Sequence, residues 1–507
     1  MIRWFEPQSA LSDSDVRRGM RVLLAEGIFV QTMFALTTGA FLVGFALMLG
    51  ASHKVIGVLA AIGPLSQVLQ VPAVYLVERT RRRKLLLVGA AVLSRMVWLF
   101  IAALPWLVPR AYALPIFLAA LGIHWGVGAV GGCAFNSWLR DLIPQKRSAS
   151  FFARRFALMI AVSAVLSLAG GYGVDVWKAH FEQEAGVYAI LFVCAAACGL
   201  GSVVLLARTP EPQMPAGQPM GLAATLREPL RDGNYRKLLV FLGWWSFAVN
   251  LAAPFFAVYL LERLKLSMSW VLGLTVLSQM VNVLFFRVWA SLADRFSNKS
   301  VLAVSGPLFI FSFLLWPFTT LPETYVMTIP LLVVIHVLAG VSTAGVTLSA
   351  WNLALKSAPY GKGASYLAVN ALISGVAASV SPILAGVLAD WFASEELTLT
   401  LRLASSAGRH RELLVPTVDL RGLDFLFLIA FVLGLYSLHR LLAVREEGEV
   451  REAVVRQALL MEMVRGLRQV STVAGVREVI VFPYAVFRRL RKQRNGLPSS
   501  AQEPTSG

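Results

Sequence analysis

Ser148-Ala149-Ser150-Phe151 returns 215 positions later as Gly363-Ala364-Ser365-Tyr366. Further pairs repeat at offsets of 215 or 216: Pro144 and Pro359, Gly171 and Gly386, Asp175 and Asp390, Gly27 and Gly243, Gly57 and Gly273, Glu78-Arg79 and Asp294-Arg295. Both copies consist largely of long apolar segments. A chain whose halves are similar sets of membrane helices is typical of a transporter with its binding site between the halves.

The composition independently indicates a membrane protein. Apolar residues make up 57% of the 507 residues, charged residues make up 15%, and the mean hydropathy is +0.69. A soluble domain carries about 25% charged residues. The length would permit several soluble domains, but the apolar runs leave little room for one.

Twelve segments have the length and composition of membrane spans, since a spanning helix needs about 20 mostly apolar residues. We place the spans at residues 23–48, 55–77, 85–108, 112–137, 152–177, 184–206, 238–261, 268–290, 301–320, 325–353, 366–391 and 423–443. The predicted fold is therefore an all-α membrane protein with two six-helix bundles. The predicted regions are a cytoplasmic N-terminus (1–22), an N-terminal bundle (23–206), a linker (207–237), a C-terminal bundle (238–444) and a tail (445–507).

Positive charge is distributed unevenly between alternate loops. One side carries 36 of the 46 Lys and Arg residues and the other side carries 9, with Arg95 inside a span. The positive-inside rule then places both termini in the cytoplasm of a multi-pass protein of the cytoplasmic membrane. Topology accounts for the net charge of +18, so we expect no nucleic-acid partner.

A short basic loop follows the second span and returns after the eighth. Its two copies read Val74-Tyr75-Leu76-Val77-Glu78-Arg79-Thr80-Arg81-Arg82-Arg83 and Ala290-Ser291-Leu292-Ala293-Asp294-Arg295-Phe296-Ser297-Asn298-Lys299. With the six-plus-six spans, these loops resemble the major facilitator superfamily signature, roughly G-x-x-x-D-R-x-G-R-R. Both copies lack the opening Gly, and the first has Glu in place of Asp. The segment from Ser137 to Pro144 is similar to a bacterial branch of this superfamily that lacks an assigned substrate.

The resemblance implies a gating role for the charged loop residues. A carboxylate at the end of a helix can approach the positively polarised N-terminus of a helix in the other half. Such contacts would hold the cytoplasmic side closed and favour the outward-facing state. The implied gating residues are Glu78, Arg79, Asp294 and Arg295, with Arg140 as a partner. The alternative is that the basic residues only anchor the topology.

Ionisable residues inside spans are costly and are functional hypotheses by default. Glu26 lies one turn inside the first span, where it could couple transport to an ion, reach the interface or pair with Arg21. Arg95 lies near the middle of the third span. It could lock onto Gln67 or Gln70 of the second span, or it could contact an anionic substrate.

Two histidines lie at nearly equivalent positions of the repeat, His124 in the fourth span and His336 in the tenth. The resemblance implies that these spans, with the first and seventh, line a central cavity. A histidine there could carry a proton or bind a substrate, or it could be satisfied by a backbone carbonyl. Gln31 of the first span and Asn250 of the seventh are uncharged candidates for the same cavity.

The tail combines apolar residues at helical spacing with clustered arginines such as Arg488-Arg489. This pattern suits either the anionic cytoplasmic leaflet or the chain's own cytoplasmic face. We expect a monomer that binds a small solute, with no cofactor. The three cysteines have no metal-ligand spacing.

Secondary active transport is the function that these observations favour. The chain has no Gly-x-x-x-x-Gly-Lys-Ser/Thr sequence for nucleotide phosphates, so we expect coupling to an ion gradient, with a proton as the first candidate. The alternative is a membrane-bound binding or regulatory protein that keeps the fold without transport. An enzyme is not expected, because no nucleophile or metal constellation is present.

Overall fold

The computed structural model describes residues 6–8, 11–214, 222–320, 323–359, 362–405 and 411–446. The predicted tail lies almost entirely outside the described residues. Helices dominate the described part and confirm the predicted fold class. Eleven described helices are long and apolar enough to cross a membrane, and a bent pair of helices supplies a twelfth span.

The N-terminal half contains eight helices for its six spans. They are α1 (Asp13–Thr37), α2 (Ala40–Met48), α3 (His53–Ser66), α4 (Gln70–Thr80), α5 (Arg83–Leu107), α6 (Arg110–Leu142), α7 (Gln145–His180) and α8 (Ala185–Arg208). The first span is broken at Gly39, whose φ of 62° favours glycine. The second span bends by 44° between α3 and α4, where a 3₁₀ turn separates Pro64 from Pro72.

The C-terminal half follows a short linker helix. Its helices are α9 (Leu222–Arg231) in the linker and then α10 (Gly233–Val258), α11 (Met268–Arg295), α12 (Asn298–Leu315), α13 (Thr328–Lys356), α14 (Gly363–Phe392) and α15 (Leu423–Leu441). A single π-helical turn, Tyr259–Arg263, extends α10. Asp232 caps the start of α10 by accepting hydrogen bonds from the Asn234 and Tyr235 amides at 2.9 and 3.0 Å.

An antiparallel pair of strands, which the sequence analysis did not anticipate, lies between α14 and α15. Strand β1 (Glu396–Ser405) pairs with β2 (Arg411–Arg421), with an irregularity at Leu399/Thr400. The alternation of Leu and polar residues from Leu397 to Leu403 has the period of two that strands require, and it could have predicted β1.

The two halves pack through repeat-related helix pairs. Helix α3 lies along α14, and α7 lies along α11. The approach is close because glycines face backbone atoms: a Cβ on Gly57 would lie 2.1 Å from the Pro382 carbonyl oxygen, and one on Gly386 would lie 2.5 Å from the His53 carbonyl oxygen. Both contacts lie near the start of α3 and the end of α14, so the halves meet most closely at that end.

Candidate functional site

A cavity of about 520 Å³ lies between the two halves. Its wall includes Gln31 of α1 and Ser167 of α7 from the first half, and Phe256 of α10, Gln279 of α11 and His336 of α13 from the second. Within the described part of the chain, the wall contains no Asp, Glu, Lys or Arg, and His336 is its only histidine. The position between the repeats is the one that inverted-repeat and parallel-repeat transporters use for their substrates.

One side of this cavity is aromatic. Phe256 and Trp316 stack with ring centroids 4.5 Å apart, and the His336 ring packs edge-on against Trp316 at 5.8 Å. His336 donates from Nδ1 to the Leu332 carbonyl at 2.8 Å, which leaves Nε2 as the ring nitrogen available to a ligand. The cavity wall also carries hydroxyl and amide side chains: Gln31, Thr38, Ser163, Ser167, Thr275, Ser278, Gln279 and Ser312.

His124, the second histidine candidate, lies outside this cavity. It is buried against Trp98 and Trp125, and its Nδ1 donates to the Ser94 carbonyl at 2.8 Å. This arrangement is the backbone-satisfied alternative of the sequence analysis. Asn250 is not among the cavity-lining residues either, because its side chain donates to the Ser246 carbonyl at 2.8 Å along its own helix.

Glu26 and Arg95 lie in a buried cluster inside the N-terminal half. Glu26 accepts a hydrogen bond from Arg155 of α7 at 2.6 Å, with both side chains less than 10% exposed, so its partner is Arg155 rather than Arg21. Arg95 packs against Gly199 of α8 and is close enough to Glu26 for a Coulombic attraction. The expected hydrogen bond from Arg95 to Gln67 or Gln70 is absent from the described residues.

Two acidic residues link the two halves at one end of their interface. Asp175 of α7 accepts hydrogen bonds from the Met268 and Ser269 amides at the start of α11, both at 2.8 Å. Its repeat partner Asp390 of α14 accepts from the His53 and Lys54 amides at the start of α3, at 3.1 and 3.3 Å. We call this end of the bundle, with His53, Asp175, Met268 and Asp390, the capped end.

His53 adds a side-chain link at the capped end. Its Nδ1 lies 3.1 Å from Asp390 and its Nε2 lies 3.5 Å from Glu262. The sequence offered one signal for these contacts, the 215-residue spacing of Asp175 and Asp390, but it did not show that each carboxylate would face the first amides of a helix in the other half. An anion at that position is stabilised by the helix dipole and by free N–H groups.

The expected gating residues lie at the opposite end, which we call the basic end and which carries Arg17, Arg79, Arg154 and Arg295. Glu78 and Asp294, at the last turns of α4 and α11, make no hydrogen bond or ion pair within the described residues. Arg79 is exposed, Arg295 lies over the ring of Phe296 at 5.2 Å, and Arg140 is exposed and 3.5 Å from Asp141. None of these residues bridges the two halves in the part of the chain that the structure describes.

Arg83, which the sequence analysis passed over, is the buried arginine of the first basic loop. It pairs with Asp141 and donates to the Pro212 carbonyl at 2.7 Å. Glu211 lies beside Arg83 and faces the Arg83 and Lys84 amides, although burial raises the pKa of its carboxyl above the ordinary value. Glu446 accepts from the Lys299 amide at 2.6 Å in the second half. Hydrogen bonds and ion pairs thus stabilise each half at the start of its third span.

One departure from the family signature places a residue other than glycine in a left-handed conformation. Arg81 occupies the position where the signature has its second Gly, and its φ of 53° is in the left-handed region. Glycine adopts this conformation without strain, whereas other L-residues are disfavoured there by roughly 1–2 kcal/mol. Ser297, at the corresponding position of the second copy, instead caps α12 through the Ser300 amide at 3.1 Å.

Removing the two carboxylates at the capped end should open it. In the Asp175→Asn, Asp390→Asn double variant, we expect the ratio of molecules with separated halves at the capped end to molecules with linked halves to rise roughly 30-fold. Two charges at helix N-termini contribute on the order of 2 kcal/mol to holding the halves together. Spin labels at the exposed Phe181 and Glu395 would report the separation by pulsed electron resonance. The control is Glu184→Gln, which removes an exposed pair with Lys178 within one half. An unchanged distance distribution in the double variant would contradict a sealing role.

The sequence model described as Major Facilitator Superfamily matches residues 27–382 of this chain. Similar solved structures include the nucleoside transporter NupG, at 12% identity and a TM-score of 0.61, covering 85% of this chain and 98% of that one. A POT family transporter in complex with a thioalcohol-conjugated peptide, at 13% identity and a TM-score of 0.61, covers 84% and 95% respectively. A D-xylose-proton symporter, at 14% identity and a TM-score of 0.60, covers 85% and 98%. No curated protein sequence matches the chain. At these identities the structures show a shared fold alone.

Proposed function

Because the chain belongs to the Major Facilitator Superfamily, we propose that it is a secondary active transporter that moves a small solute by alternating access. The observation that carries this proposal is the cavity between the halves, with two repeat-related carboxylate contacts at one end and unpaired Glu78 and Asp294 at the other, among the described residues. A pair of halves that can seal either end around one site is what alternating access requires.

The charge distribution indicates which end of the bundle faces the cytoplasm. With the basic end in the cytoplasm and the halves linked at the capped end, we propose that the structure represents an inward-facing state. The unpaired Glu78 and Asp294 support the same interpretation, because the contacts proposed for them would form when the basic end closes. Replacing Asp294 by Asn would then favour the state described here.

The cavity wall favours an uncharged solute with an apolar ring or a similar flat face. A charged group would enter the cavity without an ionic partner among the described residues, and burying an unpaired charge costs several kcal/mol or more. The hydroxyl and amide groups of the wall can bind polar substituents, while Phe256, Phe313 and Trp316 can stack with a ring. The names of the similar structures include different solutes and do not decide between them.

Transport can be tested before the solute is identified. Proteoliposomes containing the full chain would be incubated with a metabolite extract, and the retained compounds would be identified by mass spectrometry. We expect one or a few uncharged solutes to accumulate above empty liposomes. A protein that binds one of these solutes but never moves it across the bilayer would be the non-transporting alternative.

We propose His336 as the proton-carrying residue if a proton gradient drives the transport. Among the described residues of the cavity wall, it is the only one with an ionisable side chain, whereas Glu26 and His124 are enclosed within the N-terminal half. We expect His336→Gln to reduce pH-driven accumulation of the identified solute by at least tenfold, while exchange of solute without a gradient persists. His124→Gln is the matched control. Full pH-driven accumulation in His336→Gln would contradict this role and leave Glu26 as the next candidate for carrying the proton.

A further inference from the structure

A second pocket, distinct from the central cavity, lies at the basic end between the starts of α1 and α7. Its volume is about 350 Å³. Four arginines line it, Arg17 and Arg21 from α1 and Arg147 and Arg154 from α7, together with the apolar side chains of Met20, Leu24 and Phe151. The pocket therefore combines a strongly cationic rim with an apolar floor.

The positive charge of this pocket is only partly neutralised by the protein. Asp13 is shared between Arg17, at 2.5 Å, and Arg147, at 3.3 Å. Arg21 and Arg154 make no hydrogen bond or ion pair with any part of the chain that the structure describes. The nearby Glu26 does not compensate them, because it is buried and bound to Arg155. The pocket thus has four arginines, of which only Arg17 and Arg147 are paired with a carboxylate among the described residues, so it is suited to an anion.

The place and shape of the pocket indicate which anion it would bind. The charge bias of the loops puts the starts of α1 and α7 at the cytoplasmic surface of the membrane. Basic pockets between spanning helices on that side bind anionic lipid headgroups, and a guanidinium group can hold a phosphate with two parallel hydrogen bonds. The apolar floor includes the buried Phe151 and offers a surface along which the start of an acyl chain can pack.

We propose that this pocket binds one anionic phospholipid of the cytoplasmic leaflet, with its phosphate between Arg21 and Arg154 and the start of an acyl chain along Leu24 and Phe151. The site joins α1, which lines the central cavity, to α7, which carries Asp175 of the capped end. Its lining residues all belong to α1 and α7, and lipid binding there requires no transport activity.

Native mass spectrometry of the purified full chain would test the proposal. With phosphatidylglycerol and phosphatidylcholine at equal concentrations, we expect one molecule of phosphatidylglycerol to be retained in preference. The Arg21→Gln, Arg154→Gln variant should bind it roughly 30-fold more weakly, from about a factor of five for each charge near the lipid surface. The control is Arg227→Gln, Arg231→Gln, which removes two exposed charges from α9 outside the pocket.

Three results would overturn the proposal. Equal retention of the two lipids by the unmodified chain would show that the pocket does not select an anionic headgroup, and this measurement does not depend on the folding of any variant. Undiminished phosphatidylglycerol binding in the Arg21→Gln, Arg154→Gln variant would place the lipid elsewhere. Displacement of the lipid by an equal concentration of glycerol phosphate would identify a site for soluble phosphates instead.

Discussion

Replacing Gly57 by Ala should prevent the two halves from closing at the capped end. The added Cβ would lie 2.1 Å from the Pro382 carbonyl oxygen and 3.2 Å from the Gly386 Cα. Both of these atoms belong to the backbone of α14, so no side-chain rotation can relieve the overlap. We expect solute accumulation to be lost and the distance between spin labels at Phe181 and Glu395 to increase in nearly the whole population.

The repeat provides a matched control for this substitution. Gly273 is the counterpart of Gly57 in the second half, and a Cβ there would meet no atom within 4 Å. Gly273→Ala should therefore keep both transport and the short spin-label distance, with a small gain in helix stability. If Gly57→Ala kept the short distance as well, the close packing of α3 against α14 would not be what seals this end.

Replacing Arg155 by Gln should destabilise the N-terminal half more than any substitution of an exposed arginine. Glu26 would remain buried without its cation, and breaking a buried ion pair by removing one partner costs about 3–5 kcal/mol. Arg155 also donates to the Leu23 carbonyl, which would lose that hydrogen bond. We expect a clear fall in the midpoint of thermal unfolding of the detergent-solubilised protein.

A double variant that also replaces Glu26 separates the effect of the unpaired charge from the effect of lost packing. In the Glu26→Gln, Arg155→Gln double variant the unpaired charge is gone, so we expect the unfolding midpoint to recover most of the loss. The control is Lys178→Gln, which removes an exposed ion pair with Glu184 at 2.7 Å and should cost at most about 1 kcal/mol. A double variant no more stable than Arg155→Gln alone would show that Glu26 does not depend on the charge of Arg155.

The polar residues within the spans could be found from the sequence, but their roles could not be assigned from it. Glu26, Arg95 and His124 were identified because ionisable groups are rare in apolar helices, and each is buried in the structure. The sequence left open whether each would face the cavity or a neighbouring helix. His336 and Gln31 line the cavity, while Glu26 faces Arg155. These spans are apolar on nearly every face, so their periodicity does not indicate which face points inward.

The sequence by itself determined the membrane class, the span pattern and the repeat, because each of these depends on the length and order of apolar segments. It also identified the family, through two copies of one charged loop, and the comparison with known families confirms that identification. The tertiary structure decided which residues meet across the two halves. Asp175 and Asp390 link the halves at one end because α7 and α14 end beside the first amides of α11 and α3. A contact of this kind depends on the rotation, tilt and bend of packed helices, and residues more than 90 positions apart in the chain carry no local pattern that fixes it.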